Sequence, residues 1–104
     1  MTETAPVYLV GNYEVTNPDI LTEYVQKSTP IVQRHGGRML GFDPATAPLE
    51  GKALPLLAVF EFPSMKNAQE FYNSPDYAEL IPLRQQATNG GFLALIQGPF
   101  QANG

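Results

Sequence analysis

His35, Arg38 and Glu61 are the side chains of this chain best suited by type to acid–base chemistry. His35 is the lone histidine, and an imidazole titrates near neutral pH, so it can act as general base or acid. Arg38 follows the pair Gly36-Gly37, and a guanidinium holds a carboxylate or an enolate through a forked pair of hydrogen bonds. Glu61 is the one charge inside the most apolar run of the chain, where a carboxylate must be paired, sit in a cavity or accept a proton. If the three converge, they supply a base, an anion clamp and an orienting carboxylate. Each also has a structural reading. His35 at a helix end would bond a carbonyl and favour the negative end of the dipole, and Arg38 would ion-pair with Glu61 or Glu14.

Aromatic and amide side chains form a second set. Tyr72 and Tyr77 flank a helix break, and Tyr13 and Asn12 lie in the first strand. Phenols suit a flat aromatic ligand and can donate to a developing oxyanion. More commonly such side chains serve the core, their hydroxyls reaching water or a carbonyl. Cysteine is absent, as are metal-ligand spacings, phosphate loops and nucleophile-elbow serines. The reading is therefore no metal and no cofactor.

The elements that position these residues follow from periodicity. Val7–Val15 reads as a strand, apolar on both alternating sets. Asn17-Pro18-Asp19 opens a helix with a cap, a first-turn proline and an acid at the positive end. Leu21, Tyr24, Val25, Ile31 and Val32 form its stripe, and Pro30 predicts a kink or a split near Ser28. Gly36-Gly37 ends it. Arg38–Phe42 is a short strand, 43–54 a loop, and Leu56–Phe62 the clearest strand. Ser64 caps a helix carrying Ala68, Phe71 and Tyr72 inward. Ser74-Pro75-Asp76 restarts it, and Tyr77, Leu80 and Ile81 continue its apolar face as far as Pro82. Asn89-Gly90-Gly91 reads as a turn and Phe92–Gln97 as the last strand. The whole is one domain over 1–104, with a core of about 6–98 and a tail at 99–104.

The order β-α-β-β-α-β is that of an α+β, ferredoxin-like subunit. Its strands are apolar on both faces, whereas a sheet with one wet face alternates polar and apolar. A second subunit covering the open face resolves this, and the expectation is a two-fold homodimer packed sheet to sheet. Ten acidic against six scattered basic residues leave no stripe for a phosphate backbone, so nucleic acid is not expected as a partner. Neither a leader nor a run of about 18 apolar residues is present, so the reading is cytoplasmic, with no membrane partner.

His35-Gly36-Gly37-Arg38, Glu61-Phe62-Pro63-Ser64 and Phe71-Tyr72-Asn73-Ser74-Pro75-Asp76-Tyr77 together resemble the domain of unknown function 1330, over about residues 6–98. That resemblance implies the dimeric α+β barrel superfamily, whose members include cofactor-free monooxygenases, polyketide cyclases, muconolactone isomerase and haem-handling enzymes. The functional expectation is a small cofactor-independent enzyme acting by proton transfer on an aromatic or enolisable small molecule. His35 would move the proton, Arg38 hold the anion, Glu61 orient one of them, and Tyr72 line the site. The alternative is a homodimer, binding or stress-associated, that holds a small ligand without turning it over.

Overall fold

The computed structural model describes residues 5–99. Strand β1 (Val7–Val15) leads into helix α1 (Pro18–Arg34), followed by β2 (Arg38–Asp43) and β3 (Leu56–Phe62). Three short helices come next, α2 (Met65–Tyr72), α3 (Pro75–Ala78) and α4 (Ile81–Ala87), before β4 (Thr88–Gln97). The four strands form one antiparallel sheet in the order β2-β3-β1-β4, the ferredoxin-like arrangement. The expected tail from residue 100 onward lies outside the described residues.

Local chemistry sets the boundaries of α1. The Asn17 side chain accepts from the Ile20 amide at 3.1 Å. At the far end the Gly36 amide donates to Gln33 O at 3.0 Å and the Gly37 amide to Val32 O at 2.9 Å, with Gly36 at φ +83°. This is the paired closure that favours glycine just past a helix. Gly37 is needed for a second reason, because a Cβ there would stand 2.6 Å from the Phe62 ring.

Three sequence expectations need correction. Helix α1 runs unbroken through Pro30 and does not split near Ser28. Pro30 and the residue four before it, Gln26, both lie on the exposed side, so water can satisfy the carbonyl that the proline leaves free. Pro82 starts a helix instead of ending one: it occupies the first turn of α4, where its missing N–H has no intrahelical partner to lose. Asn89-Gly90-Gly91 lies inside β4. There the register against β1 shifts between Asn12 and Glu14, with Gly90 at φ +69° and Gly91 at φ +77°. The glycines make a bulge opposite Tyr13, and a Cβ on Gly91 would fall 1.7 Å from Asn12 O.

Pleating then sorts the side chains. Toward the helices point Val7, Leu9, Gly11 and Tyr13 of β1, with Leu56, Ala58, Phe60 and Phe62 of β3 paired to them. Val7, Leu9, Phe62, Ile31, Val32, Ala68, Phe71, Tyr77 and Leu80 make the core between sheet and helices. On the opposite, open face stand Tyr8, Val10 and Asn12 with Glu61, Val59 and Leu57, and the β4 residues Phe92, Ala94 and Ile96. Phe92 is 51% exposed and Ile96 56%, so this apolar face is uncovered in the single subunit. None of the described helices is long and apolar enough to cross a membrane.

Candidate functional site

Arg38 and Glu61 do meet. They face each other across the β2–β3 ladder, and Arg38 Nε donates to Glu61 Oε1 at 2.8 Å. The pair sits at the edge of the open face beside Pro6, Gly36 and Pro63. The Arg38 side chain is 71% exposed, so the two charges are satisfied by each other and by water.

His35 does not join them. Its Nδ1 lies 3.0 Å from Ile31 O, one turn back in its own helix, and its ring packs edge-on against Phe71 at 6.1 Å. The His35 carbonyl accepts from the Asn67 amide group at 3.1 Å, which ties the end of α1 to α2. Among the described residues His35 forms no hydrogen bond or ion pair with Arg38 or Glu61.

Asn12 is buried, and its amide is committed to a loop. It donates to Leu54 O at 3.0 Å and Leu56 O at 2.8 Å, and accepts from the Leu54 amide at 3.2 Å. Those three bonds fasten the end of the 43–55 loop to β1. Tyr72, expected inward, is 41% exposed, because Tyr77 fills the inward place and stacks on Phe71 at 4.5 Å. Tyr72 touches Tyr77 at a ring distance of 5.7 Å.

Tyr13 and Tyr77 belong to a different constellation, on the helix side of the sheet. A cavity lies between α1 and the sheet, walled by Leu9, Gly11, Leu21, Val25, Val32, Ala58, Phe60 and Leu93. Its volume is about 50 Å³, room for a few waters. Tyr13, Tyr24, Tyr77 and Arg84 also line it. The Tyr24 and Tyr77 hydroxyls share a hydrogen bond at 2.7 Å. Arg84 Nη1 donates to the Tyr77 oxygen at 2.8 Å, and the guanidinium lies 5.7 Å from the centre of the Tyr13 ring.

Sequence reasoning missed Arg84 and placed Tyr24 only on the apolar stripe. Arg84 is aimed by α4, whose last carbonyl, Ala87 O, accepts from the amides of Thr16 and Asn17 at 2.8 and 3.2 Å. Reading Pro82 as a first-turn residue would have set Arg84 on a helix of its own, α4, seven residues after Tyr77. The Tyr77 amide donates to Ser74 Oγ at 3.2 Å, so the capping serine of α3 fixes the tyrosine.

Electrostatics separate donors from bases in this cavity. Burial raises the Tyr24 pKa far above that of an ordinary phenol, with Tyr77 adding to the rise. Burial also raises Tyr13, and Arg84 only partly opposes it. Both phenols therefore stay protonated at neutral pH and act as hydrogen-bond donors. Burial works against the charge on Arg84, but Tyr77, Tyr13 and Tyr24 outweigh it and its pKa is raised. No carboxylate or imidazole is among the lining residues.

The family model described as Domain of unknown function (DUF1330) matches residues 6–99. No curated protein matches the chain. Among solved structures, a protein of unknown function from Rhodopseudomonas palustris, RPA0582, superposes with a TM-score of 0.75 at 20% identity, covering 95% of this chain and 86% of that one. SnoaB, a cofactor-independent oxygenase from Streptomyces nogalater, gives 0.68 at 8% identity over 96% and 99% of the two chains. A nipsnap family protein of unknown function from Agrobacterium tumefaciens gives 0.59 at 12% identity over 93% and 91%. At such identities these likenesses establish a shared fold.

Proposed function

The chain belongs to the DUF1330 family, and on that premise we propose that it is a small cofactor-independent enzyme acting by proton transfer on an aromatic or enolisable small molecule. The observation that carries the reading is the cavity between α1 and the sheet, an apolar chamber ending in the Tyr24–Tyr77–Arg84 cluster. A carbonyl compound seated there would place its oxygen at the hydroxyls and its body against Leu9, Val25 and Leu93. Loss of a proton from the adjacent carbon to water leaves the negative charge on that oxygen. A hydroxyl backed by a guanidinium stabilises that charge, and does so more strongly in an apolar wall than in water. The shared fold of SnoaB, a cofactor-independent oxygenase, supports the reading.

Proton exchange at the acidic carbon tests it directly. Phenylacetone in deuterated buffer, followed by proton NMR, should exchange its benzylic hydrogens faster with protein than without. Tyr24→Phe should lower the protein-dependent rate by about tenfold or more. His35→Ala and Arg38→Ala should leave it within about twofold, since neither side chain lines the cavity. No acceleration by the wild-type protein would defeat the catalytic reading. The absence of a carboxylate or imidazole from the cavity wall favours a second reading, in which the protein holds its ligand without turning it over. That case would show binding with no exchange.

The reading includes a homodimer formed through the open face. Tyr8, Val10, Leu57, Val59, Phe92, Ala94 and Ile96 make an apolar surface too continuous for solvent. A second copy offers the same surface in return under two-fold symmetry. Sedimentation of the wild-type protein as a monomer at micromolar concentration would remove this part of the proposal.

A further inference from the structure

Among the described residues, no carboxylate pairs with Arg84. The three ion pairs among the described residues join Lys27 to Glu23, Arg34 to Asp76 and Arg38 to Glu61, and Arg84 is in none of them. Arg84 is half-buried, and a charge partly withdrawn from water is stabilised by a counter-charge beside it. A guanidinium has five N–H donors. Among the described residues only Nη1 is committed through a side-chain bond, to the Tyr77 oxygen. The other polar side chains of the cavity wall are hydroxyls, and the rest is hydrocarbon apart from the Met39 thioether.

The proton inventory of the two phenols points the same way. Tyr24 and Tyr77 own two hydroxyl protons, and their mutual bond uses one. Arg84 donates to Tyr77, so it uses a lone pair and no proton. One hydroxyl proton therefore remains for a ligand. The cluster presents two kinds of donor side by side, a full positive charge and a neutral O–H.

We propose that the ligand of this cavity is a small oxo acid: an apolar body carrying a carboxylate next to an enolisable carbonyl. The carboxylate takes the free N–H groups of Arg84 and supplies the missing counter-charge. The neighbouring carbonyl oxygen takes the remaining phenol proton of the Tyr24–Tyr77 pair. The open volume is about 50 Å³, well under the roughly 150 Å³ of an apolar cavity that takes a benzene ring, so a ring-bearing ligand enters only as the wall side chains move apart. This inference rests on the proposed function, and sharpens it from any enolisable molecule to one bearing a permanent negative charge.

Phenylpyruvate and phenylacetone form the test pair, since they differ only in a carboxylate against a methyl group. Calorimetric titration of the wild-type protein should show phenylpyruvate binding at least about tenfold more tightly, as a charge-assisted contact implies. Arg84→Gln should bring the ratio close to one, and Arg84→Lys should retain part of the preference. The preference should fall with salt less steeply than binding at exposed Arg38 would, because half-buried Arg84 is only partly screened. Equal affinity for the two ligands in the wild-type protein would overturn the inference while leaving the proposed function standing. A preference that survives Arg84→Gln, or one lost in Arg38→Gln, would overturn it too. Failure of both ligands to bind and to exchange would overturn both readings.

Discussion

The two faces of the sheet carry similar apolar side chains and opposite electrostatic conditions. On the open face, Arg38 and Glu61 neutralise each other at 2.8 Å within reach of water. On the helix side, half-buried Arg84 faces phenols and hydrocarbon, and no carboxylate among the described residues pairs with it. A satisfied pair asks nothing of a ligand, whereas an unneutralised cation in an apolar chamber does. Residue type alone singles out the first, and environment singles out the second, where the ligand is proposed to bind.

Substitution should separate the faces, beginning with the largest effect. Phe71→Ala on the helix side removes a ring 2% exposed that stacks on Phe62 and Tyr77, and should cost about 3–5 kcal/mol by denaturant titration. Val59→Asp, at the middle of the open face, should leave a folded chain but raise the dissociation constant of the proposed dimer about a hundredfold in sedimentation, the equivalent of one buried aliphatic side chain. If Val59→Asp unfolded the chain or left the dimer intact, the two faces would not differ in the way described.

Alkaline pH offers a subtler contrast. Tyr24 has its pKa raised on folding, chiefly by burial, so its proton is held in the folded state and lost in the unfolded one above pH about 10. The unfolded state then binds fewer protons, and stability, fully present below pH 10, falls as pH rises. The slope for one such group is about 1.4 kcal/mol per pH unit. Tyr24→Phe should flatten the decline between about pH 10 and 12, as read by urea unfolding at each pH. The smallest effect belongs to the exposed pair: Arg38→Ala should change stability by about 1 kcal/mol or less.

Much of this architecture was legible in the chain. The two-sided apolar runs at Val7–Val15 and Leu56–Phe62, and the caps Asn17, Ser64 and Ser74, each act over a few residues, which is the range that periodicity and capping can report. Misreadings arose where one residue type serves two local structures. Proline stops a helix or starts one, and Pro82 starts α4. Two glycines after an asparagine make a turn or a bulge, and Gly90-Gly91 make a bulge opposite Tyr13. The first ambiguity hid α4, and with it Arg84, and the second hid the start of β4. The adjacency of Arg38 and Glu61 was inferable from strand order, but whether a charge is paired or stranded depends on contacts between Tyr24, Tyr77 and Arg84, which lie far apart in the chain.

The most direct test of the central claim, that the ligand site is the helix-side cavity, is amide chemical-shift mapping during titration with phenylpyruvate. Perturbations should concentrate at Gly11, Tyr13, Tyr24, Tyr77 and Arg84, with Arg38 and Glu61 unchanged. Perturbations clustered instead at Arg38, Glu61 and Gly36 would contradict that claim and return the site to the sheet edge.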